Sequence, residues 1–143
     1  MTLLAAIQRI QNISQASTDI TIQFAPDAPV PDAMVSPFTI AYIDDGEFTE
    51  ANATDARFMV KVNVDAYFNM VNLPQSFKNM DLFTYEFMRR LGGDPTLDGN
   101  VQTIIFPVLI GKPTSTTWGS SQFLRKTFTI TIHTLETPLT TST

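Results

Sequence analysis

The order of segments along this chain predicts an α+β fold, a two-layer sandwich in which a mixed or mainly antiparallel sheet of about four to five strands is covered by two helices. Two segments carry apolar residues at helical spacing, and at least four others alternate apolar and polar residues as half-buried strands do. The 143 residues suit one hydrophobic core. We therefore expect a single domain over residues 1–133 and a flexible or partner-docked tail over residues 134–143.

The N-terminal segment predicts an amphipathic helix that covers the core. Thr2 is a residue type that caps helices, and the apolar residues that follow recur on one helical face: Leu3, Ala6, Ile7, Ile10 and Ile13. After a polar break, Ile20, Ile22 and Phe24 predict a short strand. Four prolines within residues 25–37 exclude a regular helix and a central strand, so that stretch is predicted to be a surface loop.

Two further strands are predicted on either side of an acidic turn. Phe38, Ile40 and Tyr42 share one strand face, and the Asp-Asp-Gly sequence at residues 44–46 predicts a hairpin turn. Residues 47–55 form a polar return limb. The clearest strand pattern of the chain then covers residues 57–68, with these apolar positions: Phe58, Val60, Val62 and Val64.

The second helix is predicted over residues 73–91, with signals at both ends. Asn72 is a plausible N-cap and Pro74 falls in the first turn, while Gly92-Gly93 should stop the helix with a glycine in the left-handed conformation. One arc of the helix is assigned to the core by its apolar residues: Leu73, Phe77, Met80, Phe83, Phe87, Met88 and Leu91.

The last third of the chain predicts two strands and a loop. Residues 101–110 are apolar on both faces, which favours a central strand, and Pro107 marks a bulge or an edge towards its end. Residues 112–121 predict a polar loop that carries the only tryptophan, Trp118. The final strand alternates threonine and basic residues with four apolar residues: Leu124, Phe128, Ile130 and Ile132.

Charge is distributed unevenly along the chain, whose formal net charge is −5. Residues 1–56 hold one basic and eight acidic residues, a net charge of −7, whereas residues 57–143 hold eight basic and six acidic residues, a net charge of +2. Such asymmetry suits self-association through complementary patches, and the alternative is that these charges only solvate the surface. An acidic chain without clusters of lysine and arginine argues against nucleic-acid binding in a basic groove.

The composition also indicates where the protein works. The chain has no cysteine, and its start lacks the basic residues and cleavage site of a signal peptide, so we expect a protein that is made and used without secretion. No apolar run approaches the ~20 residues of a membrane span, so we expect no membrane partner.

No residue pattern in the sequence predicts catalysis, a cofactor or a metal. His133 is the only histidine, so any Ser-His-Asp or Cys-His unit would depend on it alone. The acids between residues 44 and 50 lack the spacing of a calcium loop, and Gly92-Gly93 precedes no helix N-terminus that could hold a phosphate. We therefore expect a protein that is not an enzyme and that acts by contact.

Several segments together resemble the tail terminator (tail completion) proteins of long-tailed bacteriophages. They are the N-terminal LLAAIQRIQNI helix, the long RFMVKVNVDAYF strand, a helix ending FMRRLGGDPTLDGNVQTI, and a polar penultimate loop. The most specific part covers residues 91–104, where related proteins often show a run similar to D-P-x-L-G-G-x-V. Asp98 departs from that run because a glycine is common at its position.

The resemblance implies a non-enzymatic structural protein of the virion, located in the tail or neck and in the host cytoplasm during assembly. Six copies would form a ring that caps the head-proximal end of the tail tube, ends tube growth and joins the tail to the head. The implied partners are other copies of the chain, the tail tube protein and a head-completion or connector protein, with DNA passing through the lumen without specific binding. The alternatives are another neck component, an adaptor or stopper, and, more remotely, a small ligand-binding or enzymatic domain.

Three groups of residues are candidates for contacts between copies or with partners. Leu82 and Tyr85 lie outside the core arc of the second helix, beside Arg89, and they are either a subunit contact or incidental exposed residues. The acids of the predicted hairpin either project from the ring or line its lumen, and Trp118 is either tucked onto its own domain or a partner-facing anchor. The acids are Asp44, Asp45 and Glu47.

Overall fold

The computed structural model describes residues 3–16, 37–51, 56–70, 73–118 and 121–136. Within these residues, two helices and five strands follow one another as α1 (Leu3–Gln15), β1 (Phe38–Ala51), β2 (Ala56–Asn69), α2 (Leu73–Gly92), β3 (Thr103–Ile110), β4 (Thr114–Trp118) and β5 (Ser121–Glu136). The strands form one antiparallel sheet. The predicted α+β sandwich is confirmed.

The sheet is built around β2 and β5, which pair along their whole length from Ala56↔Glu136 to Asn69↔Phe123. The strand order is β1-β2-β5-β3, and β4 pairs with the first part of β5 on the same side as β3. These two central strands are also the ones whose sequences alternate most clearly between apolar and polar residues. Among the strands that the structure describes, the edges of the sheet are β1 on one side and β3 with β4 on the other.

Both helices pack against one face of the sheet, where alternate residues of β2 and β5 meet their apolar stripes. In β2 the residues on this face are Val60, Val62, Val64, Ala66 and Phe68, and in β5 they include Phe128, Ile130 and Ile132. The aromatic centre of the core comes from both layers, because Phe128 lies 5.6 Å from Phe83 and 5.3 Å from Phe87 between ring centroids. Burial of these side chains on one face orients the opposite face outward.

The core arc predicted for α2 is correct except at its start. Met80, Phe83, Phe87 and Leu91 are buried, whereas the predicted core residues Leu73 and Phe77 are exposed. In that first part of the helix the buried residue is Ser76, whose Oγ donates a hydrogen bond to the carbonyl oxygen of Asn69. Because Asn69 is the last residue of β2, the first turns of α2 lie at the end of the sheet, where no strand continues to cover their apolar side chains.

The predicted hairpin turn at Asp44-Asp45-Gly46 is wrong, because β1 continues through these residues to Ala51. The strand instead makes a β-bulge between Ile43 and Asp45, and Gly46 pairs with Val60. A Cβ atom on Gly46 would lie 2.6 Å from the carbonyl oxygen of Met59. Glycine is needed at this position because the two backbones approach too closely for a side chain.

The prediction that residues 101–110 form a central strand is also wrong, because among the described strands β3 pairs with β5 alone and lies at the sheet edge. The prediction that Pro107 marks an irregularity is confirmed. The Phe106–Pro107 peptide bond is cis, and the register with β5 shifts between Ile105 and Leu109. The polar loop predicted over residues 112–121 likewise contains a strand, since β4 and β5 form a hairpin.

The end of α2 differs from the prediction in its backbone conformation. Gly93 donates to the carbonyl oxygen of Arg89, but neither Gly92 nor Gly93 adopts a positive φ. The left-handed residues come later, at Leu97 (φ 50°), Asp98 (φ 58°) and Gly99 (φ 79°). The tight reversal of the chain therefore follows the helix by several residues.

Several sequence predictions fall wholly or partly outside the described residues. They are the caps at Thr2 and Asn72, the short strand at residues 20–24, the proline-rich loop up to residue 36, and the end of the return limb at residues 52–55. At the C-terminus, β5 continues through the buried Thr134 to Glu136, past the expected start of the tail at residue 134, and residues 137–143 lie outside the described part.

Candidate assembly surfaces

The outward stripe of α2 forms a small exposed patch. Tyr85 is 61% exposed, and Arg89 lies over it with its guanidinium carbon 5.3 Å from the ring centroid. One guanidinium nitrogen of Arg89 also donates to the Tyr85 hydroxyl at 3.3 Å. Leu82 is half-buried, so it contributes less apolar surface than the sequence suggests. The structure brings Tyr85 and Arg89 together as a flat cationic-aromatic pair.

The predicted acidic residues lie on the edge strand β1. We define residues 42–48 of this strand as the β1 edge. Asp44, Asp45 and Glu47 are exposed, and none has an ion-pair partner among the described residues. Two large apolar side chains of the same segment, Ile43 and Phe48, are exposed as well. An apolar and acidic surface therefore replaces the predicted polar hairpin.

The start of β1 is protected from further pairing by α1. The Gln11 side-chain amide donates to the carbonyl oxygen of Thr39 at 2.9 Å, and its oxygen accepts from the backbone N–H of Ala41 at 2.7 Å. Because β2 occupies the other side of β1, these two backbone groups belong to the outer side of the strand. Gln11 thus bonds with β1 as a neighbouring strand would, and the β1 edge begins just beyond it.

A second apolar surface lies at the opposite side of the sheet, on β3, and we define residues 103–110 as the β3 edge. Phe106, Leu109 and Ile110 are all exposed there, although single domains usually cover such side chains. This surface was not predicted from the sequence. The pattern that could have predicted it is present in the sequence, because a strand that is apolar on both faces and contains a proline can be an edge strand that another chain covers.

The two edges differ in charge. The whole of β1 contains four acidic residues and no basic one, a net charge of −4. The β3 edge contains no charged residue, and Lys112 lies just beyond its end. One side of the sheet is therefore acidic, whereas the other is uncharged along its strand and followed by a lysine.

The sheet face that the helices leave uncovered carries a buried hydrogen-bond network around Asp65. The carboxylate of Asp65 accepts from Thr127 Oγ1 at 2.7 Å, from the Tyr42 hydroxyl at 2.9 Å and from the Tyr67 hydroxyl at 3.3 Å. Burial, with the negative charge of Asp65 nearby, raises the pKa of the Tyr67 hydroxyl. Burial also raises the pKa of Tyr42. This network fixes β1, β2 and β5 to one another.

The same face holds a shallow groove of about 260 Å³ next to the β1 edge, lined by Asp45, Gly46, Glu47, Met59, Lys61 and Thr131. Its charged groups are two carboxylates and one ammonium, and they are displayed along strands rather than converging on a point. Among the described residues no three histidine, aspartate or glutamate side chains group together as metal ligands would. His133 lies on β5 opposite Met59 and Thr103.

The LGGDPTLDG segment, which carries the family resemblance, has a structural role. Asp94 holds the turn by accepting from Arg9 Nε and from the backbone N–H of Asp98, both at 2.8 Å. Although burial opposes it, these bonds and the positive charge of Arg9 lower the pKa of Asp94. Leu97 is fully buried in the core. Asp98, where the family often has glycine, adopts a left-handed backbone that glycine takes freely and aspartate tolerates.

Trp118, the remaining candidate, is the last residue of β4, opposite Ser121 in the β4–β5 hairpin. Its side chain lies outside the part of the chain that the structure describes. The β4–β5 hairpin end and the β1–β2 hairpin end project from opposite ends of the sheet, because β5 begins at Ser121 beside β4 and ends at Glu136 beside Ala56.

In comparisons with known proteins, no protein-family model and no curated protein matches this sequence. Within the described residues, neither helix has the length and apolar character that crossing a membrane requires.

Proposed function

We propose that the protein is a structural component of a bacteriophage virion that forms a homo-oligomeric ring of six copies at the head-proximal end of the tail tube. In that position it ends tube growth and joins the tail to the head connector. The observation that carries the ring is the pair of unlike sheet edges, since each exposes large apolar side chains and only the β1 edge is acidic. The position at the tail end rests on the resemblance of residues 91–104 to the tail terminator family.

A ring requires an interface in which two different patches of each copy meet. Two identical patches would instead close a dimer. The β1 edge and the β3 edge differ in sequence and in charge, so one sheet provides the two different patches that a ring needs.

The shape of the sheet supports a role between two partners. β5 has 16 residues and spans about 50 Å at ~3.3 Å per residue. Because the β1–β2 and β4–β5 hairpins project from its opposite ends, one hairpin can contact the tail tube protein while the other contacts the connector. Acidic side chains along a lumen would repel DNA phosphates and let DNA pass without binding.

Native mass spectrometry of the purified protein tests the proposal by counting copies. Six copies support a tail terminator. Twelve copies would indicate an adaptor instead, and a stable monomer that binds a small molecule would contradict both. Immunogold electron microscopy of virions that contain the chain then tests the position, because the label should sit where the tail tube meets the head.

The patch of Tyr85 and Arg89 is tested separately as a contact between copies or with a partner. Tyr85→Asp is the informative variant because Tyr85 is exposed, whereas Leu82 is half-buried and Leu82→Asp would also perturb the fold. If the patch is an interface, Tyr85→Asp leaves the monomer folded and abolishes either ring formation or tube binding. Unchanged ring and unchanged tube binding would remove this patch from the list of interfaces.

A further inference from the structure

The two sheet edges match in length and in apolar character. The β1 edge has seven residues and the β3 edge has eight, so each spans about 25 Å at ~3.3 Å per residue. On the β1 edge the exposed apolar side chains are Ile43 and Phe48, and on the β3 edge they are Phe106, Leu109 and Ile110. Apolar side chains on both edges gain from being removed from water.

Each edge is poorly suited to pair with an identical edge. Two β1 edges side by side would bring Asp44, Asp45 and Glu47 of one copy against the same acids of another, and like charges facing each other across strands are destabilising. Two β3 edges would meet at Pro107, which has no N–H to donate and sits at a register shift. Isologous dimers are thus disfavoured on both sides of the sheet.

The unlike pairing brings no acids against acids, and only one of its two strands carries Pro107. We propose that the β1 edge of one copy packs against the β3 edge of the next, a head-to-tail contact that repeats until the ring closes; this inference rests on the proposed ring. Phe48 and Ile43 then cover Leu109 and Ile110 of the neighbour. Lys112, just beyond the β3 edge, is exposed and has no acidic partner among the described residues. In the proposed contact it lies beside the acids of the neighbour's β1 edge.

Side chains rather than a continuous ladder of backbone hydrogen bonds form this contact. β1 has register shifts between Ile43 and Asp45 and between Phe48 and Glu50, and β3 has its own shift at Pro107. Bulges and prolines are devices that stop open-ended strand addition. The irregular edges therefore oppose the addition of a hydrogen-bonded strand, and the contact relies on the exposed side chains of the two edges.

Mixing two variants, each damaged at only one of the two edges, tests the pairing. Phe48→Asp damages only the β1 edge and Leu109→Asp only the β3 edge, and both side chains are 58% exposed in the single chain. Each variant alone should lose the ring and remain monomeric, because every contact needs both edges. An equimolar mixture retains one intact pairing, so native mass spectrometry should show a 1:1 heterodimer and no larger species. The matched control is Leu4→Asp, which removes a 76% exposed apolar residue of α1, outside both edges, and should leave the ring intact.

The outcomes separate this inference from the proposed function. If the unmodified protein forms no ring, the proposed function fails and the pairing fails with it. If the ring survives in both edge variants, the pairing is wrong while the ring stands. A dimer of Leu109→Asp alone would overturn it too, because that result means β1 pairs with β1. Far-UV circular dichroism and urea midpoints must show folded variants, and Phe48→Ser and Leu109→Ser serve where the aspartates unfold the chain.

The charge part of the pairing has its own measurement. Lys112→Glu should raise the protein concentration at which the ring dissociates by tenfold or more, because it places a negative charge against the acids of the β1 edge. Lys78→Glu makes the same change at an exposed lysine of α2 and should leave that concentration unchanged. Equal effects of the two variants would show that the ring responds to net charge and not to this contact.

Discussion

The hydrogen bond between Thr127 and Asp65 offers a direct measurement of what the charged network contributes to stability. Asp65 and Thr127 face each other on β2 and β5, and Thr127 Oγ1 donates to the carboxylate at 2.7 Å. Two residues along the same strands, Thr129 Oγ1 donates to the neutral amide oxygen of Asn63 at 2.9 Å. The two pairs share strands, face and residue type of the donor, and they differ in the charge of the acceptor.

Replacing each threonine by valine removes the donor while keeping a β-branched residue of similar shape. Thr127→Val should lower the free energy of unfolding by about 1.5–3 kcal/mol, since a hydrogen bond to a charged group contributes that much. Thr129→Val should lower it by about 0.5–1.5 kcal/mol, the range for a bond between neutral groups. The carboxylate of Asp65 is buried, so water cannot readily replace the lost donor.

Urea unfolding at pH 7, followed by far-UV circular dichroism, measures both values if the dependence of free energy on urea is the same in all variants. The double variant Asp65→Asn with Thr127→Val completes a thermodynamic cycle and should show a coupling of about 1 kcal/mol or more. If Thr129→Val costs as much as Thr127→Val, or if the cycle is additive within about 0.5 kcal/mol, the charge of Asp65 is not the source of the effect.

Three other expectations concern stability. Gly46→Ala should lower the free energy of unfolding by about 1–3 kcal/mol, because its Cβ meets the Met59 carbonyl at 2.6 Å; thermal unfolding beside Gly92→Ala, where a Cβ meets nothing, checks this. The pKa of Asp94 is lowered in the folded protein, so its carboxylate stabilises the fold above pH ~4, and this stabilisation is lost as pH falls through the folded-state pKa. Acid titration of Asp94→Asn should therefore show a smaller loss of stability at low pH than the unmodified protein, by less than about 1 kcal/mol. The pKa of Tyr67 is raised, so its hydroxyl contributes fully below ~10 and less as pH rises beyond it; Tyr67→Phe should flatten the alkaline decline, and an unchanged slope would contradict the assignment.

The architecture was largely predictable because local periodicity reports which face of an element is covered. The alternation in β2 and β5 and the helical spacing in α1 located the core without any knowledge of pairing. The candidate surfaces were less predictable. Asp44, Asp45 and Glu47 were identified as exposed acids, but the turn assigned to them does not exist. The β3 edge was missed, because its apolar pattern is the same whether its own chain or a neighbour covers it.

The sequence by itself determined the elements, their amphipathic faces, the size of the core and the imbalance of charge, since these follow from residue type and spacing along a short stretch of chain. Only the tertiary structure decided which strands are central and which are edges, because strand order depends on pairings between residues far apart in sequence. It also decided the meaning of Gly46, which locally predicts a turn but is required by the close approach of Met59. The same pairings place the acidic β1 at one side of the sheet and the uncharged, apolar β3 at the other, and the proposed assembly follows from that placement.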